Sequence, residues 1–93
     1  MQIEHEIGET KGRYFVSGST GEILAELSYS IAGTSMIIID HTEVSDQLKG
    51  QGVGHILFMR MVEDARTSGT RVVPLCPFAK SQFTKFPETR DVT

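Results

Sequence analysis

The stretch Leu48-Lys49-Gly50-Gln51-Gly52-Val53-Gly54-His55 constrains the chain most, because it joins an apolar strand-like run to an apolar-periodic helix through alternating glycines. Glycine lets the main chain take positive φ and lets a ligand approach the amides with no Cβ in the way. A helix starting at about Val53 leaves its first turn of N–H groups unpaired and carries a partial positive charge, so the loop and helix start together favour an anion, most naturally a phosphate. Lys49 adds a full charge beside them. Spacing separates the phosphate loops. A Walker loop requires Gly-Lys-Ser/Thr after four intervening residues, but the fifth residue after Gly50 is His55 and no Lys-Ser/Thr follows, and a dinucleotide fingerprint begun at Gly52 would need a further glycine at Leu57. Neither fits. A plain glycine turn with no ligand is the bland alternative, but such a turn seldom needs alternating glycines and a cation.

Ninety-three residues allow one domain, spanning 1–93. A hydrophobic fraction of 39% and a charged fraction of 23% are ordinary for a soluble globular chain, and a net charge of -3 with no basic run argues against a nucleic-acid groove. The first residues, Met1-Gln2-Ile3-Glu4-His5-Glu6, lack the positive and apolar regions of a signal peptide, and no run approaches the ~20 apolar residues of a membrane span. The single cysteine, Cys76, has no internal disulfide partner, which agrees with a reducing compartment. The expectation is a cytoplasmic protein.

Residues 1–12 alternate weakly, with Ile3, His5 and Ile7 on one side, and read as an edge strand or loose arm. Arg13-Tyr14-Phe15-Val16 is rich in strand formers and ends in the turn composition Gly18-Ser19-Thr20-Gly21, which predicts a hairpin. Ile23, Ala25, Leu27, Tyr29 and Ile31 then alternate with Leu24, Glu26, Ser28 and Ser30, the pattern of a half-buried antiparallel strand. The unbroken apolar run Ser35–Ile39 predicts a central strand covered on both faces, continued by the polar Asp40-His41-Thr42-Glu43. Val53, Leu57 and Met61 form one row and Phe58, Val62 and Ala65 another, so a helix over 53–67 buries a broad face, with Gly69 beyond its end. Arg71–Leu75 is a further strand, and strand-helix-strand implies a right-handed crossover between parallel neighbours. A short helix over 78–86, opened by Pro77, and a frayed tail over 89–93 complete the chain. In such a unit the ends of strands 35–43 and 71–75 and the start of the first helix lie at one edge, where open α/β sheets bind ligands. His41, Glu43, the glycine loop and Cys76 are expected to converge there.

Lys49-x-x-Gly52-x-Gly54 resembles the pyrophosphate loop of the GCN5-related N-acetyltransferases, Gln/Arg-x-x-Gly-x-Gly/Ala, with lysine as a departure. With His41-Thr42-Glu43-Val44 and Val73-Pro74-Leu75-Cys76-Pro77-Phe78, the chain is similar over residues 20–88 to the very small, single-domain branch of that superfamily. The resemblance implies an α/β (α+β) fold, a mixed, mostly antiparallel sheet with a parallel βαβ unit and two helices. It implies acetyl-CoA as cosubstrate and an amine-bearing small molecule or protein as acceptor. The pantetheine amides would pair with backbone at Glu43 and Val44, and the pyrophosphate would sit on the amides of Lys49, Gly50, Gln51, Gly52, Val53, Gly54 and His55.

Cys76, at a strand end before a helix N-terminus, can be a nucleophile accepting the acetyl group, a thiol lining the acetyl pocket, or a small buried hydrophobe. Direct transfer needs a base for the acceptor ammonium. His41 suits that role, with Glu43 on its face to hold or replace it, against the alternative of a locally bonded strand-end histidine. The last helix, Lys80-Ser81-Gln82-Phe83-Thr84-Lys85-Phe86, lacks the tyrosine that many relatives use as the acid. The helix pair preceding the second strand of larger members is also missing, which leaves an open or partner-completed acceptor site. His5 and His55 show no metal-ligand spacing with each other or with Cys76, so no metal is expected. The expected function is acetyl transfer to an amine; the rivals are a non-catalytic acyl-CoA-binding module and a protein-interaction domain acting through an exposed sheet edge.

Overall fold

The computed structural model describes residues 1–93. Strands β1 (Glu4–Ile7), β2 (Lys11–Ser17), β3 (Ile23–Ala32), β4 (Met36–Val44) and β5 (Arg71–Pro74) form one sheet in chain order. Neighbours are antiparallel except β4 and β5, which are parallel and joined by helix α1 (Val53–Ser68). Helix α2 (Pro77–Lys85) follows β5. The expected mixed sheet, βαβ unit and helix pair are all present.

The sequence pattern explains which way each element faces. Ala25, Leu27 and Tyr29 of β3 are buried while Leu24, Glu26, Ser28 and Ser30 between them are half-exposed, and Tyr14 and Val16 of β2 extend the buried face. α1 lays Val53, Leu57, Phe58, Met61, Val62 and Ala65 on that face, and α2 adds Ala79 and Phe83. The Phe58 and Phe83 rings meet edge-on at 4.8 Å, the geometry that aromatic quadrupoles favour. Burying a side chain such as Phe58 contributes on the order of 1.5–3 kcal/mol. The Gly69 backbone ends α1 in a left-handed turn, its amide bonded to the carbonyl of Arg66.

Both helices pack on one face, so β4 is not covered on both as its apolar run predicts. Only Ile39 is fully buried; Met36 and Ile38 are half-exposed because the opposite face carries no helix, and Ile37, on the covered face, is only partly buried against the core. The tail also differs from expectation. Pro87–Val92 forms a 3-10 turn that folds back on α1, burying Thr89 and Val92, while Arg66 donates to both carboxylate oxygens of Asp91 at 2.8 and 3.0 Å and to the Glu88 carbonyl at 2.9 Å. The bidentate fork holds a segment too short to announce itself by periodicity.

β1 is an edge strand held by one inward residue. His5 Nε2 lies 2.6 Å from the Tyr29 hydroxyl, and the ring stacks on Tyr14 at 3.9 Å, whose own hydroxyl donates to Asp64 at 2.8 Å. Burial pushes the His5 pKa below its usual 6.5, with nearby Asp64 opposing and Arg60 adding to the shift. The unfolded chain therefore takes up a proton first as pH falls, so this contribution to stability is present above pH 6.5 and is lost as pH drops from 6.5 through the lower folded value. Thermal unfolding followed from about pH 7.5 to about pH 5 should show a steeper loss of Tm in the parent than in His5→Phe, which keeps the ring stack without the titration. Equal slopes would contradict the burial argument.

Candidate active site

After β4 the chain enters a 3-10 turn, Asp46–Leu48, started by the Ser45 hydroxyl accepting from the Gln47 amide at 3.3 Å. Gly50 and Gly52 then adopt φ of +81° and +70°, the left-handed region that costs a side chain roughly 1–2 kcal/mol. Gly52 caps α1 with no side-chain hydrogen bond. The amides of Gly50, Gly52, Val53, Gly54 and His55 make no hydrogen bond within the protein, whereas those of Lys49 and Gln51 are taken by the carbonyls of Asp46 and Leu48, each at 3.3 Å. The expected run of free amides over 49–55 is thus interrupted at Lys49 and Gln51, because the tight turn uses them itself.

Gly54 has a different reason to be glycine. It is helical, and a Cβ there would lie 2.9 Å from Cζ of Phe78, so it admits close packing of α2 against the start of α1. Around these amides lies a cleft of about 310 Å³ bounded by Val44, Leu48, Lys49, His55, Phe78 and Gln82. Lys49 stands at its rim, paired with Asp46 at 2.9 Å; both side chains are largely exposed. The His55 ring reaches α2, with Nδ1 2.6 Å from Gln82 Oε1 and its centroid 4.6 Å from that of Phe86.

The open edge of the sheet adjoins this cleft. β4 and β5 pair only as far as Ile39 and Pro74, after which the Ile39 carbonyl receives the amides of both Leu75 and Cys76 and the strands part. Residues 40–44 keep β3 as their sole strand partner. The register with β3 shifts there as well: Tyr29 faces Ile39 but Ser28 faces His41, so Asp40 is an extra, bulged residue. A bulge reverses the alternation beyond it. Thr42 and Val44 turn to the helix-covered face, and His41 and Glu43 to the open one.

This corrects the expected convergence. Cys76 is 6% exposed, caps α2 by accepting the Ala79 amide at 3.3 Å, and touches Thr42 Oγ1 at 3.6 Å. His41 and Glu43 bond each other at 2.7 Å and are 62% and 75% exposed on the other face. The thiol and the imidazole flank the same parted edge from opposite sides. A groove of about 700 Å³ on the open face borders His41 and includes Glu6, Arg13, Ser28 and Asp40. Sequence reasoning missed Thr42, Phe78 and Gln82. All three lay inside segments already singled out, but none was given a role there, and the bulge that turns Thr42 inward leaves no mark in hydropathy.

Residues 13–92 match the sequence profile of the family described as GCN5-related N-acetyl-transferase. Among solved structures, a GCN5-like N-acetyltransferase homologue from Staphylococcus aureus is 38% identical, with a TM-score of 0.74 over 96% of this chain and 85% of that one. Two others share the fold at low identity. They are a ribosomal-protein-alanine N-acetyltransferase from Brucella melitensis (13% identity, TM-score 0.63, 82% of this chain and 62% of that one) and an IAA acetyltransferase from Bacillus cereus (17%, 0.61, 82% and 53%). The chain therefore spans little more than half of these larger relatives. No curated protein sequence matches it. With a profile that covers most of its length and a relative 38% identical across 96% of it, the chain belongs to the GCN5-related N-acetyltransferase family.

Proposed function

We propose that this protein binds acetyl-CoA at the glycine loop and transfers the acetyl group to an amine. The observation that carries this reading is the set of unpaired amides at Gly50, Gly52, Val53, Gly54 and His55, whose residues line a cleft that also borders Val44 at the end of β4, beyond the point where β4 and β5 part. Unpaired amides at a helix start favour the pyrophosphate, and unpaired β4 backbone near Val44 is free to pair with the pantetheine amides. The thioester then lies in the gap between the strands, reachable from both faces.

On the helix side Cys76 is the candidate acetyl acceptor, its sulfur at a helix start and receiving the Ala79 N–H. On the open side His41, held by Glu43, is the candidate base for the acceptor ammonium. The acceptor approaches over the uncovered sheet face, from the groove beside His41. A second reading, acyl-CoA binding without turnover, draws on the separation of the thiol from the imidazole. Release of free coenzyme A from acetyl-CoA in the presence of a panel of amines separates the two: transfer above the uncatalysed rate supports the enzyme, and tight binding with no release supports the module.

Lys49 supplies charge to the same reading. Its exposed pair with Asp46 is worth at most about 1 kcal/mol, so the ammonium can swing toward a bound phosphate at little cost. Lys49→Gln should weaken coenzyme A binding roughly two- to fivefold at low salt, and the difference should shrink as ionic strength passes ~0.1 M, where the screening length is ~10 Å. A loss that salt does not change would assign Lys49 a structural role.

A further inference from the structure

We infer that the imidazole of His55 is a proton-linked contact for the coenzyme's phosphates, taking up a proton when they bind. This rests on the coenzyme-binding reading above and adds to it a group that acts through its side chain rather than its backbone. His55 stands in the first turn of α1, its own amide among the unpaired ones, and its ring borders the same cleft.

The ring's partner fixes which nitrogen carries hydrogen. Nδ1 lies 2.6 Å from Oε1 of Gln82, a side chain only 7% exposed on α2, and an amide oxygen only accepts. Nδ1 is therefore the donor. In the neutral ring Nε2 then offers a lone pair, and no protein group bonds it. Phe86 and Phe58, with centroids 4.6 and 6.5 Å from that of the ring, brace it against turning over.

Phosphate oxygens also only accept, so a neutral His55 presents lone pair to lone pair. Only a proton on Nε2 makes it a donor to the ligand, and the contact is then charge-assisted. Lys49 is the sole charged residue bordering the cleft, and the groups packed on the ring, Gln82, Phe58 and Phe86, are uncharged. No protein carboxylate there competes for the imidazolium; the incoming phosphate supplies the counter-charge. Because coupling is reciprocal, a ligand that favours the protonated ring binds more tightly where the ring is protonated. Affinity should fall as pH rises.

Calorimetric titration of the protein with dephospho-coenzyme A near pH 7, in two buffers of different ionisation enthalpy, counts the protons taken up. That ligand keeps the pyrophosphate and lacks the phosphomonoester, which would itself titrate near pH ~6. The parent should take up a substantial fraction of a proton and bind about tenfold more weakly at about pH 8 than at about pH 6. His55→Gln should bind with no uptake and no such dependence. Gln82→Leu frees Nδ1 and lets the ring donate from Nε2 without a new proton, so uptake should drop while binding persists. Binding by the parent without proton uptake, or full uptake retained in a folded His55→Gln, would overturn this inference and leave the coenzyme reading standing. No binding at all would overturn both.

Discussion

Gly52→Val should weaken coenzyme A binding at least about tenfold, or ~1.4 kcal/mol, and leave the protein folded. The backbone at Gly52 has φ of +70°, and a β-branched residue resists that conformation by roughly 1–2 kcal/mol or more. Nothing within 4 Å would meet the added Cβ, so the core is not disturbed. The loop relieves the strain by re-routing, which turns the amides of Gly52, Val53 and Gly54 off their common target. A cost of this size is a modest part of the roughly 5–15 kcal/mol that keeps a domain folded. Gly54→Val is not an equivalent test, because its side chain would collide with Phe78 and loosen α2 from α1. Calorimetric titration of Gly52→Val beside its thermal melt checks the expectation. Parental affinity in a folded variant would mean that the loop geometry does not hold the ligand.

Acetyl-CoA supplied without an acceptor should leave a hydroxylamine-labile acetyl group on Cys76, visible as a mass increment on the intact protein. Sulfur attacks the thioester carbonyl and expels the coenzyme thiolate; an amine then attacks the acetyl group on Cys76 and returns the thiolate. Cys76→Ser should abolish both adduct and turnover. Serine is a preferred cap for a helix start and can accept the Ala79 amide in place of sulfur, so α2 stays in position and the loss is chemical. His41→Ala should lower transfer by about 10²-fold while coenzyme A still binds, since the ring lies on the open face of the sheet and does not line the cleft at the glycine loop. A Cys76→Ala protein with parental turnover, and no adduct in the parent, would transfer the chemistry to direct attack assisted by His41 and Glu43.

What could be read from the sequence was local and periodic. The alternation along Ala25, Leu27 and Tyr29 and the rows of α1 repeat a signal several times within one element, so each fixed a face. The alternating glycines marked a loop of unpaired backbone amides, although they conceal two demands: positive φ at Gly50 and Gly52, and proximity of Phe78 at Gly54. Features that depend on pairing with distant residues were not legible. The bulge at Asp40 is a matter of register with β3, and it alone moves His41 and Glu43 to the open face and Thr42 against Cys76. Gln82 reads as one more polar residue on a short helix, yet in the fold it holds His55. Arg66 and Asp91 are far apart in the chain, and their contact ties down a tail with too few apolar residues to predict its own packing. The small size of the domain explains the uncovered sheet face; with no helix on that side, β4 keeps only Ile39 fully buried despite its apolar run.

The central claim is that coenzyme A binds on the loop amides, and amide chemical shifts of isotope-labelled protein titrated with coenzyme A test it most directly. The largest changes should fall on Gly50, Gly52, Val53, Gly54 and His55, with a second group at Val44 where the β4 backbone is open, while β1 and the far end of β2 stay unmoved. Saturable shifts centred elsewhere, or none at millimolar ligand, would contradict it.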